Sequence, residues 1–140
     1  LDNQDDDGVW KELTHWLKTT IKPRIPSLIL GSGGNINKAF DLLKIKNGKT
    51  ASYKNLKELY NYLQRYSLKE RVQVLGLNPD RADVIIPALE IYLHVMEVTE
   101  IRKIAVTGMG LKEGIVFDLF YQLTQTRPVG FDSSARFSII

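Results

Sequence analysis

The stretch from Ser27 to Asn37, SLILGSGGNIN, constrains the fold of this chain more than any other part of its sequence. Aliphatic residues run into a glycine cluster, and an amphipathic pattern with apolar side chains at i, i+3, i+4 and i+7 begins directly after it. These apolar positions are Ile36, Ala39, Phe40 and Leu43. The succession predicts a strand, a tight loop and a helix.

The glycine cluster admits two interpretations. It is formed by Gly31, Ser32, Gly33, Gly34 and Asn35. Glycine amides at a helix start favour an anion, because no Cβ shields them and the helix dipole adds to the attraction. Alternatively, an ordinary turn between strand and helix needs glycine for steric reasons alone. The spacing matches neither the P-loop nor the dinucleotide fingerprint, so it leaves both interpretations open.

A second unit of the same kind lies further along the chain. A strand predicted over residues 101–107 enters Gly108-Met109-Gly110, and a helical pattern follows. Two strand–turn–helix units, at 27–44 and 103–123, predict adjacent parallel strands with right-handed crossovers. The fold class is therefore α/β, with a small parallel sheet and predominant helices. In such folds ligands bind at the carboxyl ends of the strands, so both turns should open on one crevice.

Helical patterns fill the segments outside these two units. An apolar stripe containing Trp10 and Trp16 predicts a helix with a large buried face. Ser52 and Ser67 stand where they can cap two further helices, the second as a capping box with Glu70.

The residues from 82 to 98 are apolar nearly all round, which predicts a helix at the centre of the domain. Asp80 should cap this helix, and Pro87 should bend it. Arg81 stands at its start. We expect His94, inside the helix, to be a packed core residue.

The composition excludes several classes of protein. A chain of 140 residues without cysteine has no disulfides and no thiolate metal site. It also has no apolar run of transmembrane length. The lack of cysteine suits a cytoplasmic location, which is our expectation.

The net charge of +3 is unevenly distributed. Residues 11–71 carry 13 Lys and Arg against 4 Asp and Glu, whereas the rest of the chain carries 6 against 12. A basic half favours an anionic partner such as polyphosphate, a nucleotide or a nucleic acid. Solvated helix faces explain the same distribution equally well.

Several motifs, taken in order, resemble the second, C-terminal domain of the exopolyphosphatase and guanosine pentaphosphate phosphohydrolase family. The resemblance covers about residues 8–121 and rests on the order and spacing of the motifs. They are Gly31-Ser32-Gly33-Gly34-Asn35-Ile36, Glu70-Arg71, Gly76-Leu77, Arg81-Ala82-Asp83-Val84-Ile85, and Gly110-Leu111-Lys112-Glu113-Gly114-Ile115 with Asp118.

The resemblance implies an actin-like fold in which two ribonuclease-H-like domains flank a cleft. It also implies removal of terminal phosphate from polyphosphate or guanosine pentaphosphate by a complete enzyme that uses a divalent metal, with magnesium as the expected ion. The family's catalytic glutamate and two phosphate loops lie in an N-terminal half that precedes this segment. We therefore expect this chain to hold no catalytic residue and no metal, and to be inactive alone.

The phosphate- or nucleotide-binding residues implied by the resemblance include the glycine turn and two cations. They are Gly31, Ser32, Gly33, Gly34, Asn35, Arg81 and Lys112. Lys112 stands where the family commonly has arginine and would lose bidentate recognition of phosphate. Glu113 and Asp118 are weaker candidates for acid–base groups.

The expected organisation is a flexible acidic start at 1–7, one ribonuclease-H-like domain at 8–124 and a tail at 125–140. The expected partners are the substrate and the missing N-terminal domain, with a homodimer left open and no membrane or nucleic acid. An alternative function is a non-catalytic module of the same fold that senses an anion or a partner. A nucleic-acid module has less support, because no known motif is present and the glycine turns would stay unexplained.

Overall fold

The computed structural model describes residues 6–46, 49–106 and 111–126, with only the backbone for residues 6 and 111–113. Over these ranges the chain is rich in helix and contains a small three-stranded sheet. No helix in the described part is both long and apolar enough to cross a membrane.

The helices and strands follow the predicted succession of units. The helices are α1 (Asp6–Trp16), α2 (Gly34–Leu42), α3 (Tyr53–Leu63), α4 (Leu68–Gln73), α5 (Pro79–Ala82), α6 (Ile85–Thr99) and α7 (Leu111–Thr124). The strands are β1 (Ile29–Gly31), β2 (Thr50–Ser52) and β3 (Lys103–Val106).

The sheet has the order β1-β3-β2. β1 runs parallel to β3, with Gly31 opposite Val106, which confirms the predicted pair of adjacent parallel strands. β2 pairs with β3 in the antiparallel direction, so the sheet is mixed. Strand β2 is short and carries too little periodic signal to be predicted from the sequence.

Both predicted serine caps are confirmed. Ser52 caps α3 and accepts a hydrogen bond from the Asn55 amide at 3.2 Å, while the Asn55 side chain accepts one from the Ser52 amide. Ser67 caps α4 in a reciprocal box with Glu70, whose Oε2 accepts from the Ser67 amide at 2.8 Å. These hydrogen bonds hold the pKa of Glu70 below its usual value.

The end of α1 differs from the prediction. Trp10 is partly buried, but Trp16 is 50% exposed, so the expected burial of both tryptophans is wrong. The chain continues after Trp16 in a π-helical turn, Leu17–Ile21, and a 3₁₀ turn, Lys22–Arg24. Leu17, the first residue of the π turn, is buried.

The core brings α2, α3 and α6 together with the inner face of the sheet. Ile85, Leu89 and Met96 of α6 are fully buried, whereas Ile91 is 46% exposed. The predicted burial of this helix on all sides is therefore wrong. α6 packs against α2, α3 and the π turn with one face only.

The predicted start of the central helix is also corrected. Asn78 precedes the separate short helix α5, so Asp80 does not act as the cap. Pro87 lies in the first turn of α6, where its missing N–H removes no helical hydrogen bond and a bend is not required. Arg81 is consequently held by α5.

The chain divides into two compact units, Leu1–Gly108 and Met109–Ile140. The first contains the sheet and the core described above, and the second contains α7. The division falls inside the predicted domain at 8–124, whose boundaries stay a prediction. The proposed tail at 125–140 lies largely outside the described residues.

Candidate functional site

The glycine loop joins β1 to α2, and two of its glycines are required for different steric reasons. A Cβ on Gly31 would lie 2.8 Å from Cγ1 of Ile36 and 3.4 Å from Cδ1 of Ile104. Gly33 has a φ of +100°, which side chains rarely tolerate, although nothing surrounds it. The steric interpretation therefore holds for both positions, without deciding whether the loop also binds an anion.

Among the described residues, no side chain caps the start of α2 and compensates its positive end. Gly33 is the N-cap and offers no side chain, and the first turn contains no acidic residue. The first backbone hydrogen bond of the helix runs from the Asn37 amide to the Gly33 carbonyl at 3.2 Å. The amides of residues 34–36 thus lack intrahelical acceptors, and the helix dipole adds partial positive charge.

Arg81 reaches this helix start from α5. A Cβ on Gly34 would lie 2.6 Å from the Arg81 Cζ and 2.9 Å from its Nη1, so the guanidinium occupies the space that a side chain there would fill. Nη1 also donates a hydrogen bond of 2.8 Å to Oδ1 of Asn35. The structure therefore brings together three of the predicted site residues.

No carboxylate neutralises Arg81 among the residues whose side chains are described. The ion pairs there join Lys11 to Asp7, Lys22 to Glu100 and Lys54 to Glu58. Asp83, two residues beyond Arg81, takes part in none of them. A guanidinium and a helix N-terminus, both positive, therefore meet without an ion-paired carboxylate from the described part of the chain.

Asn35 and Ser32 were both predicted to bind phosphate. The Asn35 side-chain oxygen accepts the hydrogen bond from Arg81, so this oxygen orients the guanidinium. Ser32 is exposed in the loop before α2. The phosphate contacts of both residues stay predictions.

The second glycine turn, at residues 107–110, and the Lys112 side chain lie outside the described residues. β3 runs parallel to β1 and ends at Val106, opposite Gly31. The chain therefore leaves both strands at the same end of the sheet. A shared crevice at this end stays a prediction.

The weaker acid–base candidates gain no support. The Asp118 carboxylate accepts a hydrogen bond from Gln122 at 2.8 Å on the exposed surface of α7, and the Glu113 side chain is not described. Among the described side chains, no group of three His, Asp or Glu residues could hold a metal ion.

The histidines occupy packing and surface positions. His94 of α6 stacks edge-on against Trp10 of α1, with ring centroids 4.9 Å apart, and its Nε2 lies 2.7 Å from the Thr14 hydroxyl. That hydroxyl donates its only proton to the Trp10 carbonyl at 2.7 Å, so His94 Nε2 must be the donor to Thr14. His94 thereby fastens α1 to α6, while His15 is exposed.

Sequence reasoning gave Arg71 no role in the site, but the structure places its guanidinium against the backbone beside Arg81. Arg71 donates to the carbonyls of Tyr66 and Ala82. No periodicity or motif signals a contact between an arginine side chain and a distant carbonyl. The hydrogen bond between Arg81 and Asn35, which lie 46 residues apart, was likewise not predicted from the sequence.

Solved structures of the Ppx/GppA family are similar to this chain. A crystal structure of the Aquifex aeolicus member of the Ppx/GppA family matches 86% of this chain and 43% of its own, with 21% identity and a TM-score of 0.63. A structure of the type II variant of the Aquifex aeolicus Ppx/GppA phosphatase matches with 22% identity and a TM-score of 0.57. Another structure, from a structural study of the Aquifex aeolicus PPX-GPPA enzyme, matches with 22% identity and a TM-score of 0.60. Each of these two comparisons covers 79% of this chain and 40% of the other.

This likeness shows the fold and confirms the expected helix-rich α/β class with an actin-like architecture. The chain spans about two fifths of the length of the solved structures that it matches. No curated protein matches it. A profile described as the Ppx/GppA phosphatase family matches residues 7–123. The chain therefore belongs to the Ppx/GppA phosphatase family.

Proposed function

We propose that this chain is the phosphate-binding, C-terminal half of a phosphohydrolase that releases terminal phosphate from inorganic polyphosphate or guanosine pentaphosphate. Membership of the Ppx/GppA phosphatase family supports a phosphohydrolase role. The length of the matched structures supports a larger complete enzyme. The motif order described above favours the C-terminal placement.

The observation that carries this proposal is the meeting of Arg81 with the start of α2. The guanidinium lies against Gly34 at the start of α2, where no side chain caps the backbone amides of the first turn. A cation at a helix N-terminus is unfavourable by roughly 0.3–1 kcal/mol at an exposed site. A bound phosphate would remove this repulsion and accept hydrogen bonds from both groups.

Arg81 retains donors for this task. Among the described residues its side chain forms one hydrogen bond, through Nη1, and a guanidinium carries five N–H groups in a planar fork. Such a fork can bind two phosphate oxygens at once. Arg81 and the loop amides would hold the terminal phosphate and stabilise the negative charge that develops on its oxygens during transfer.

A base that orients the attacking water is the part that this chain would not supply. Hydrolysis of a phosphoanhydride needs such a group, and the resemblance described above implies that the family's catalytic glutamate lies in the N-terminal half. We propose that the base comes from the N-terminal half of the complete enzyme. The 140-residue chain alone should then release no phosphate from either substrate.

The divalent metal implied by the resemblance finds no set of ligands among the described side chains. The proposed roles of Arg81 and the glycine loop therefore include no step through a metal. Any metal site would belong to the complete enzyme.

The proposal is tested by titrating the 140-residue chain with inorganic tripolyphosphate in a calorimeter. Arg81→Ala should weaken binding about 10- to 100-fold, which corresponds to the 1.5–3 kcal/mol typical of hydrogen bonds to charged groups. Arg102→Ala is the matched control, because Arg102 is exposed and precedes β3 at the end of the sheet remote from Gly31. It should leave the dissociation constant unchanged.

Equal affinities of the wild type and Arg81→Ala would contradict the proposal. The alternative, a non-catalytic sensing module, makes the same binding prediction but a different kinetic one. A phosphohydrolase half should restore phosphate release when joined to its N-terminal domain, and Arg81→Ala should then lower kcat/KM. A sensing module should bind tripolyphosphate and support no turnover in any combination.

A further inference from the structure

Arg71, in the last turn of α4, connects two backbone segments through its guanidinium. Its Nε donates to the Tyr66 carbonyl at 3.1 Å, and its Nη1 donates to the Ala82 carbonyl. The side chain is partly buried between these two acceptors. Arg71 is therefore bound on two sides by groups whose positions the fold determines.

The second of these acceptors belongs to a helix that has little stability of its own. α5 contains four residues, and its N-cap Asn78 makes no side-chain capping bond. A single helical turn is unstable in isolation, because few hydrogen bonds compensate the ordering of its backbone. The backbone carbonyl of Arg71 accepts a hydrogen bond from the Leu77 amide at 3.1 Å, which closes the loop before α5. The position of α5 thus depends on its contacts with α4 and α6.

Arg81 directly precedes Ala82, whose carbonyl accepts the hydrogen bond from Arg71. Ala82 is completely buried, so this end of α5 is a fixed point, and the Arg81 side chain extends from it to Gly34 and Asn35. We infer that Arg71 is a positioning residue, which keeps the Arg81 guanidinium against the start of α2 where it can bind the terminal phosphate. The inference rests on the proposed function of Arg81.

Lysine cannot replace Arg71 in this role. A guanidinium offers donors in two fixed directions, whereas an ammonium group is a single compact charge on a flexible stem. Arg71→Lys therefore keeps the positive charge and loses the simultaneous contacts with Tyr66 and Ala82. The substitution separates the geometric role of Arg71 from any attraction of its charge for the ligand.

The first test needs no ligand and uses the NMR signal of the Asn35 side-chain amide. This signal reports the hydrogen bond from Arg81 and should shift in Arg81→Ala. Arg71→Lys should shift it as well, while Arg65→Lys, the same change at an exposed arginine, should not. A wild-type Asn35 signal in a folded Arg71→Lys chain would overturn the inference, whatever the ligand proves to be.

The second test is a double-mutant cycle measured by tripolyphosphate titration. Arg71→Lys should weaken binding by about tenfold in the wild-type chain, within the coupling range of contacting residues. It should have no further effect in Arg81→Ala, because Arg71 acts through Arg81. Equal effects in both backgrounds would overturn the inference. If Arg81→Ala itself leaves binding unchanged, the proposed function fails, and the Asn35 signal still decides the role of Arg71.

Discussion

Two arginines, ten residues apart in the chain, occupy opposite kinds of environment. Arg71 donates to two backbone carbonyls and lies partly buried between α4 and α5. Arg81 donates to one side-chain amide and lies against the bare backbone of Gly34. Neither side chain forms an ion pair with a carboxylate among the described residues.

The hydrogen-bond acceptors of the two arginines distinguish a structural cation from a binding cation. The donors of Arg71 are directed to fixed internal acceptors, so its contribution is to the stability and position of the backbone. Within the described part of the chain, Arg81 has donors without an acceptor and faces a second positive group, the start of α2, so its contribution should appear when an anion binds. Residue type and charge are the same, and only the acceptors distinguish the two regions.

The largest expected effect is a loss of stability on substitution of a residue in the hydrophobic core. Leu89→Ala, at a fully buried position of α6, should lower the free energy of unfolding by about 2–5 kcal/mol. Ile91→Ala is the control on the same helix, since Ile91 is exposed, and should cost far less. Denaturant unfolding measures both, and equal losses would contradict the assignment of the buried face.

Two glycine substitutions sharpen the distinction between stability and binding. Gly31→Ala should destabilise the fold by about 1–3 kcal/mol, because the new methyl group strikes Ile36. Gly34→Ala should leave stability nearly unchanged, since only the flexible end of Arg81 must move, and should weaken tripolyphosphate binding about as much as Arg81→Ala. Thermal unfolding and calorimetry give the two readings, and a Gly34→Ala chain with wild-type affinity would contradict the account.

Removing the two arginines should separate stability from binding in the same way. Arg71→Ala leaves the Ala82 carbonyl without its donor and should cost about 1–3 kcal/mol of stability. Arg81→Ala removes a cation from a helix N-terminus and should change stability by less than about 1 kcal/mol. Unfolding curves of the two variants would contradict the comparison if Arg81→Ala proved the more destabilised.

The smallest effect is the acid response of α4, the helix that carries Arg71. Hydrogen bonds from Ser67 lower the pKa of Glu70 from 4.5, so its capping contribution is present above the unfolded-state pKa and lost as pH falls through the lowered one. Glu70→Gln should therefore reduce the loss of stability between about pH 6 and about pH 3. An unchanged pH dependence in this variant would show that the cap does not contribute.

The sequence predicts the parts of the fold that follow local rules. The strand pair, the serine caps and the glycine at position 31 are of this kind, because periodicity, capping chemistry and backbone turns act over a few residues. The exposed face of α6 was missed, since an apolar side chain does not reveal what covers it. The exposure of Trp16 was missed for the same reason.

The candidate site was predictable only in part. The glycine loop and Arg81 were identified from motif order, but their contact depends on α5, a four-residue helix too short to produce a pattern. Tertiary packing determines the position of the Asn35 oxygen, which accepts a hydrogen bond from Arg81. It also determines the position of the Ala82 carbonyl, which accepts one from Arg71. Such contacts require the position of each element in space.

The most direct test of the central claim is a crystal structure of the 140-residue chain with tripolyphosphate. We expect a terminal phosphate within hydrogen-bonding distance of both the Arg81 guanidinium and the amides at residues 34–36, about 2.7–3.2 Å between heavy atoms. Tripolyphosphate bound elsewhere, with Arg81 paired to a carboxylate, would contradict it.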